Sequence, residues 1–195
     1  MTETPPLRLA RSIVMVGLMG AGKTSIGRRL AQKLHVPFVD SDTEIEKAAN
    51  ETIAEIFARD GEAVFRAGER RIIARLLDGP IQVLATGGGA FMDASTRERV
   101  RERGISVWLR ADLETLLERT TRRHHRPLLN NGEPRAVLGK LIETRYPIYA
   151  EADITIDSLA GPTDSTVQKL LAALTEWAGP SGMIDRRAVS EETVS

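Results

Sequence analysis

The chain has no cysteine, which excludes disulfide frameworks, thiolate nucleophiles and thiolate-ligated zinc. Aromatic residues make up only 4% of its 195 positions, so it offers no aromatic platform on which single-stranded nucleic acid would stack. An excess of either charge is also missing. The 27 Lys and Arg balance 27 Asp and Glu, which argues against a general binder of nucleic acid or anionic membranes. The longest apolar run, residues 13–21, is about half the roughly 20 residues of a membrane span, and two glycines interrupt it. The first ten residues, MTETPPLRLA, carry an acid and two prolines where a secretory signal would show basic residues and then an apolar block. These absences predict one soluble domain in the cytoplasm, with no membrane and no nucleic acid among its partners.

Hydrophobic residues amount to 42% of the chain, and a chain of this length buries roughly 70% of its unfolded surface, enough for a core without disulfide or metal staples. Short apolar runs alternate with segments of helical period. Strands are predicted at 12–16, 36–39, 82–86, 106–109 and 153–156. Helices are predicted from Lys23, from the capping-box pattern Ser41-Asp42-Thr43-Glu44, from Thr52 to a stop at Asp60-Gly61, and over 62–77. Others follow near 96–103, 112–120, 136–146, where Pro147 should end or kink the helix, and 165–177. Strands separated by helices demand crossover connections and a parallel sheet covered on both faces, so the fold class is α/β. Residues 1–8 and 179–195 look like loose tails around a domain at 9–178.

The segment Gly17-Leu18-Met19-Gly20-Ala21-Gly22-Lys23-Thr24 satisfies G-x-x-x-x-G-K-[ST], in the strand–loop–helix context that this motif requires. A helix N-terminus presents unpaired N–H groups and partial positive charge to a polyphosphate, and glycines let the backbone curl around it. Lys23 can bridge the β- and γ-phosphates while the Thr24 hydroxyl ligates Mg²⁺. The [NT]-K-x-D and D-x-x-G strings of a GTPase switch are absent, and a helicase or motor needs a longer chain. A small kinase acting on a metabolite or nucleotide remains.

Asp40 and Asp42 lie at the C-terminal end of the second predicted strand, where ligands collect in open α/β sheets. One can orient Mg²⁺ through water and the other accept a hydroxyl proton; alternatively, Ser41 or Asp42 simply caps the following helix. Three adjacent glycines, 87–89, suit a ligand that approaches the backbone closely, or else a flexible turn. Arg66, with acids at helical spacing, reads first as a surface ion pair. Arg145 lies in line with Val137, Leu141 and Tyr149 at four-residue steps, and an arginine beside an apolar stripe calls for a fixed anion. The stretch 119–126 holds four arginines in eight residues; it reads as a lid bringing charge onto a γ-phosphate, with an RNA patch or a solvated loop as rivals. No cluster of His, Asp or Glu has ligand spacing, so no metal is expected beyond nucleotide-bound Mg²⁺.

GLMGAGKTSIG, FVDSD, DGEAVFR, TGGGA and RPLL, in this order, resemble the shikimate kinase family over about residues 11–177. The resemblance implies a P-loop NTPase of the nucleoside-monophosphate-kinase-like type, with a five-stranded parallel sheet flanked by helices, a substrate-binding subdomain at about 41–70 and a lid at about 120–135. It implies ATP as co-substrate and shikimate as acceptor, phosphorylated at its 3-hydroxyl in aromatic amino-acid biosynthesis, by a monomer. On this likeness Gly20, Ala21, Gly22, Lys23, Thr24 and Ser25 hold phosphate, and Thr24 and Asp40 hold Mg²⁺. Asp42, Phe57, Phe65, Arg66, Gly88, Gly89 and Arg145 form the shikimate site, with Glu69 holding Arg66. Arg126 contacts the transferring phosphate, Arg119 packs on adenine, and Lys23, Asp42 and Arg126 make up the catalytic set. The segment 157–163 departs from the family pattern in lacking basic residues. Gluconate kinase on the same scaffold and a non-catalytic nucleotide sensor are the alternatives.

Overall fold

A computed structural model describes residues 8–121, 133–159, 161–178 and 183–184. Every residue of SIVMV is buried in strand β2 (Ser12–Val16), as a strand covered on both faces requires. It follows a two-residue strand, β1 (Arg8–Leu9). On one side of β2 lie β4 (Val83–Ala85) and then β3 (Phe38–Asp40); on the other lie β5 (Gly104–Arg110) and then β6 (Ile154–Asp157). All four pairings are parallel, giving one five-stranded sheet in the order β3-β4-β2-β5-β6. A strand outside that sheet, β7 (Met183–Ile184), pairs with β1. These two short strands involve Arg8 and residues 183–184, which the sequence reading assigns to tails; the rest of both tails lies outside the described residues.

Helices flank the sheet. The helix α1 (Lys23–Leu34) packs on β3, β4 and the last helix, α7 (Thr163–Ala178). The cap of α2 (Ser41–Ala49) is Asp40, whose side chain accepts from the Asp42 N–H; Ser41 is fully buried and bonds elsewhere. Thr52 and Glu55 form a capping box at the start of α3 (Ile53–Asp78). The stop expected at Gly61 is a kink inside this helix, with φ 77° and ψ 175° at Gly61. Next come α4 (Ala94–Arg103), α5 (Leu113–Thr121) and α6 (Pro134–Tyr149).

Pro147 lies within α6, so of the two outcomes the sequence suggests, an end or a kink, it does not produce the end. Only one intrahelical bond is lost at a proline this near the end, and burial of Tyr149 anchors the final turn. The main core surrounds the sheet, while Ile45, Ile56 and Phe65 form a separate small core between α2 and α3. The loops after β2, β3 and β4 all leave the C-terminal edge of the sheet, which brings residues 17–22, Asp40 and residues 86–89 to one end.

Candidate active site

The loop after β2 turns into α1 through Gly22, which caps the helix at φ 94° without any side-chain hydrogen bond. That conformation is strained for residues with a Cβ, and it leaves first-turn N–H groups free of side-chain caps. Lys23 folds back over the loop, its Nζ donating to the Gly17 carbonyl at 2.7 Å and that of Leu18 at 3.0 Å. A cavity of about 300 Å³ opens beside it, lined by Gly20, Gly22, Lys23, Thr24, Ser25 and Arg119 among others. Ala21, expected with them, does not line it. The Ala21 N–H donates to Leu18, its carbonyl accepts from Ser158, and its methyl is buried.

A second cavity, about 430 Å³, lies between the sheet edge and the small α2–α3 core. Asp42, Phe57, Phe65, Arg66, Gly88, Gly89 and Arg145 all line it, as do Lys23 and Thr24, which therefore face both cavities. Residues far apart in sequence meet here because α3, α6 and the β4 loop converge.

Arg66 makes the expected ion pairs with both acids, Glu69 at 2.6 Å and Glu62 at 3.4 Å, but they differ in kind. The Glu62 side chain is 69% exposed and that of Glu69 only 3%, so Arg66 is held by a buried carboxylate rather than by a surface pair. Its guanidinium also lies over the Phe65 ring, which stacks at a tilt 4.5 Å from Phe57. Gly89 makes room for it: a Cβ there would collide with the Arg66 guanidinium. Arg145, in contrast, has no carboxylate ion pair among the described residues and lines the cavity with its charge available.

Asp42 is pushed up from 3.8 to about 6, chiefly by burial and then by the neighbouring Asp40 charge; Lys23 opposes this, and Glu69 and Glu46 add to it. Burial likewise raises Glu69, against the pull of Arg66. A carboxylate that binds protons near neutrality, beside a lysine facing both cavities, has the character of a proton acceptor.

Asp40 closes the gap between the two sides. One of its oxygens accepts from the Thr24 hydroxyl at 3.1 Å, and the other from the Asp42 N–H at 3.1 Å. This all-oxygen pair suits Mg²⁺, which takes few protein ligands and completes its shell with water and phosphate. Among the described residues no group of three carboxylates or histidines forms a self-sufficient cage.

Arg119 ties the first cavity together, donating to Gly20 O, to Ser158 Oγ at 2.9 Å and to Leu159 O at 2.5 Å. The sequence reading missed Ser158, whose hydroxyl bonds the Ala21 carbonyl at 2.8 Å, and Ser41, whose Oγ accepts from the Gly87 N–H at 3.2 Å. A lone serine, whether in a loop like Ser158 or opening a helix like Ser41, carries no local signal of contacts this far along the chain. Arg126 and residues 122–132 of the expected lid lie outside the described residues.

A parallel sheet with this strand order, a glycine-rich loop feeding a helix, and two cavities that meet at Lys23 and Thr24 define a P-loop phosphotransferase. Residues 19–175 match the family model described as shikimate kinase. A shikimate kinase of Paramagnetospirillum magneticum is 60% identical over 167 residues, covering 86% of each chain. The structure of a shikimate kinase from Acinetobacter baumannii in complex with shikimate superposes with a TM-score of 0.81 at 42% identity, covering 85% of this chain and 93% of that one. A gluconokinase from Sinorhizobium meliloti, at TM-score 0.61 and 23% identity over 88% of this chain and 95% of its own, shares the fold alone. The chain belongs to the shikimate kinase family and is an ATP-dependent kinase. Among the described residues no helix is long and apolar enough to cross a membrane.

Proposed function

We propose that this kinase transfers the γ-phosphoryl group of ATP to the 3-hydroxyl of shikimate, in the cytoplasm and as a monomer, through the residues assigned below. The observation that carries the reading is the meeting of two cavities at Lys23 and Thr24, the second of them lined by two arginines, two aspartates and a run of glycines. Shikimate is a cyclic acid with one carboxylate and three hydroxyls. Arg66, preset by Glu69, and Arg145 grip the carboxylate; Asp42 and the backbone of Gly88 and Gly89 read the hydroxyls; Phe57 and Phe65 wall the ring. Residues 41–70 act as the substrate-binding subdomain, and 120–135 as the lid.

The nucleotide occupies the first cavity, its phosphates on the main-chain N–H groups at the start of α1. Lys23 exchanges its two carbonyl partners for the β- and γ-oxygens, and Arg119 lies where the base packs. Thr24 and Asp40 would hold Mg²⁺, which when bound would offset charge on the phosphate oxygens. Attack is in line. The acceptor oxygen bonds to the γ-phosphorus, the bond to the β–γ bridging oxygen breaks, and the hydroxyl proton passes to Asp42. Lys23 and Arg126 neutralise the charge that develops on the transferring group.

A coupled assay of ADP release with and without shikimate, repeated with gluconate, tests the reading. Shikimate-dependent release with little response to gluconate is expected. Preference for gluconate, or ATP binding with no acceptor-dependent release, would refute it.

A further inference from the structure

Tyr149 is a buried titratable group that the mechanism above leaves unused. Its side chain is fully enclosed at the end of α6, four residues and about one turn after Arg145. Its hydroxyl donates to the carbonyl of Gly88, and the charge of the Arg145 guanidinium lies close enough to act on the same hydroxyl. The spot that a Cβ on Gly88 would occupy is 3.3 Å from Arg145 Nη1 and 3.8 Å from Tyr149 Oη, so the three groups crowd one point of the acceptor cavity. The ring is clamped from several sides by Phe91, Trp108 and Tyr146, with centroids at 6.5, 6.1 and 6.2 Å. Tyr146 is itself anchored through its hydroxyl to the Ala111 carbonyl.

The chemistry of this arrangement is directional. A phenol hydroxyl donates once and still accepts, so one group can orient a carbonyl and a guanidinium together. Burial pushes the Tyr149 phenol up to about 12, so it keeps its donor proton over the working range of an enzyme. Residues 87–89 are three glycines in succession, the least self-ordering backbone available, and need an external anchor to hold one conformation. The carbonyl of Gly88 shares a trans peptide plane with the N–H of Gly89, so holding the first fixes the direction of the second.

We propose that Tyr149 is a positioning residue for the acceptor: from behind the cavity it sets both the Gly88–Gly89 peptide that reads a hydroxyl and the Arg145 guanidinium that grips the carboxylate. This rests on the assignment of the second cavity to shikimate. Tyr149→Phe keeps the ring and removes the hydroxyl. Its dissociation constant for shikimate, measured by titration calorimetry, should rise about tenfold, the upper end of what loss of one neutral hydrogen bond costs, while that for ATP stays within about twofold. In an Arg145→Ala background the same substitution should have less than about half that effect, because part of its action passes through the missing guanidinium.

An unchanged shikimate affinity, an equal loss for both ligands, or an undiminished effect without Arg145 would overturn the inference. Should Tyr149→Phe not fold, tyrosine labelled with ¹³C at Cζ in the unaltered chain reads the same contact, since the sequence has only two tyrosines. Shikimate should then shift the Tyr149 resonance and an ATP analogue alone should not; resonances unmoved at saturating shikimate would overturn the inference. Failure of the unaltered chain to bind shikimate at all would instead bring down the functional reading, and this inference with it.

Discussion

Replacing Asp42 by asparagine should make the protein more stable and less active, and the stability gain should depend on pH. Folding raises the carboxyl from 3.8 to about 6, mainly because it is buried and secondarily because Asp40 lies beside it. Between those values the folded chain binds more protons than the unfolded one, so this group's contribution to stability falls as pH rises through the window and the whole penalty stands above about 6. The displacement corresponds to roughly 3 kcal/mol at most.

The amide of the Asp42→Asn variant would carry no charge to bury, but it would give up the first-turn negative charge that favours α2, about 0.3–1 kcal/mol, and water in the open cavity already screens part of the penalty. A net gain of about 1–2 kcal/mol remains, or a rise in Tm of about 2–8 °C for a chain of this size. Scanning calorimetry without ligands at pH 4, 6 and 8 should show the difference near zero at the lowest pH and full at the highest. Turnover at saturating shikimate should fall by about 10²-fold or more with ATP affinity nearly intact. A lower Tm at pH 8, or a pH-independent difference, would refute the burial argument; unchanged turnover would remove Asp42 from catalysis.

Arg145→Ala should weaken shikimate by about 30-fold or more and leave ATP within about twofold, as titration calorimetry would show, because it removes a charge aimed at one carboxylate. Normal shikimate binding by that variant would refute the assignment. Gly22→Ala forces a Cβ into a left-handed cap 3.1 Å from the Ile26 side chain, so Tm should drop by a few degrees, corresponding to about 1–2 kcal/mol, and ATP should bind more weakly. Thr24→Ala should raise the Mg²⁺ concentration for half-maximal turnover about tenfold, and chelation with EDTA should stop turnover in the unaltered enzyme; an unshifted Mg²⁺ titration would count against Thr24 as a ligand.

Local features were the ones legible in the chain. GLMGAGKT specifies a tight glycine turn between a strand and a helix, and in the structure β2 ends at Val16 just before it and α1 starts at Lys23 within it. Thr52 marks a helix start, and in the structure it caps α3 there, reciprocally with Glu55. Where two local solutions compete, sequence does not choose. The sequence offered Ser41 or Asp42 as the cap of α2, but Asp40 takes the role: its side chain accepts from the Asp42 N–H while Ser41 is drawn inward to the Gly87 N–H. Pro147 reads as a helix end or kink, yet the helix runs on because a buried aromatic cluster two residues on outweighs one lost hydrogen bond. Arg66 looked like a surface pair because spacing along a helix reveals partners but not solvent; the 3% exposure of Glu69 arises from packing of α3 against α2, α4 and residues 90–92.

By itself the order of amino acids determined the α/β alternation, the phosphate loop and the chemical types gathered around it, since all of these follow from periodicity and short-range sterics. Only the tertiary structure decided the strand order β3-β4-β2-β5-β6, and with it the convergence of Lys23, Asp42, Arg66, Gly88 and Arg145 on one cavity. It alone brought Tyr149 behind that cavity and Ser158 onto the phosphate loop. The reason is that such contacts join residues tens of positions apart, held by burial of a shared core, and burial depends on what the rest of the chain places nearby rather than on any residue's neighbours in sequence.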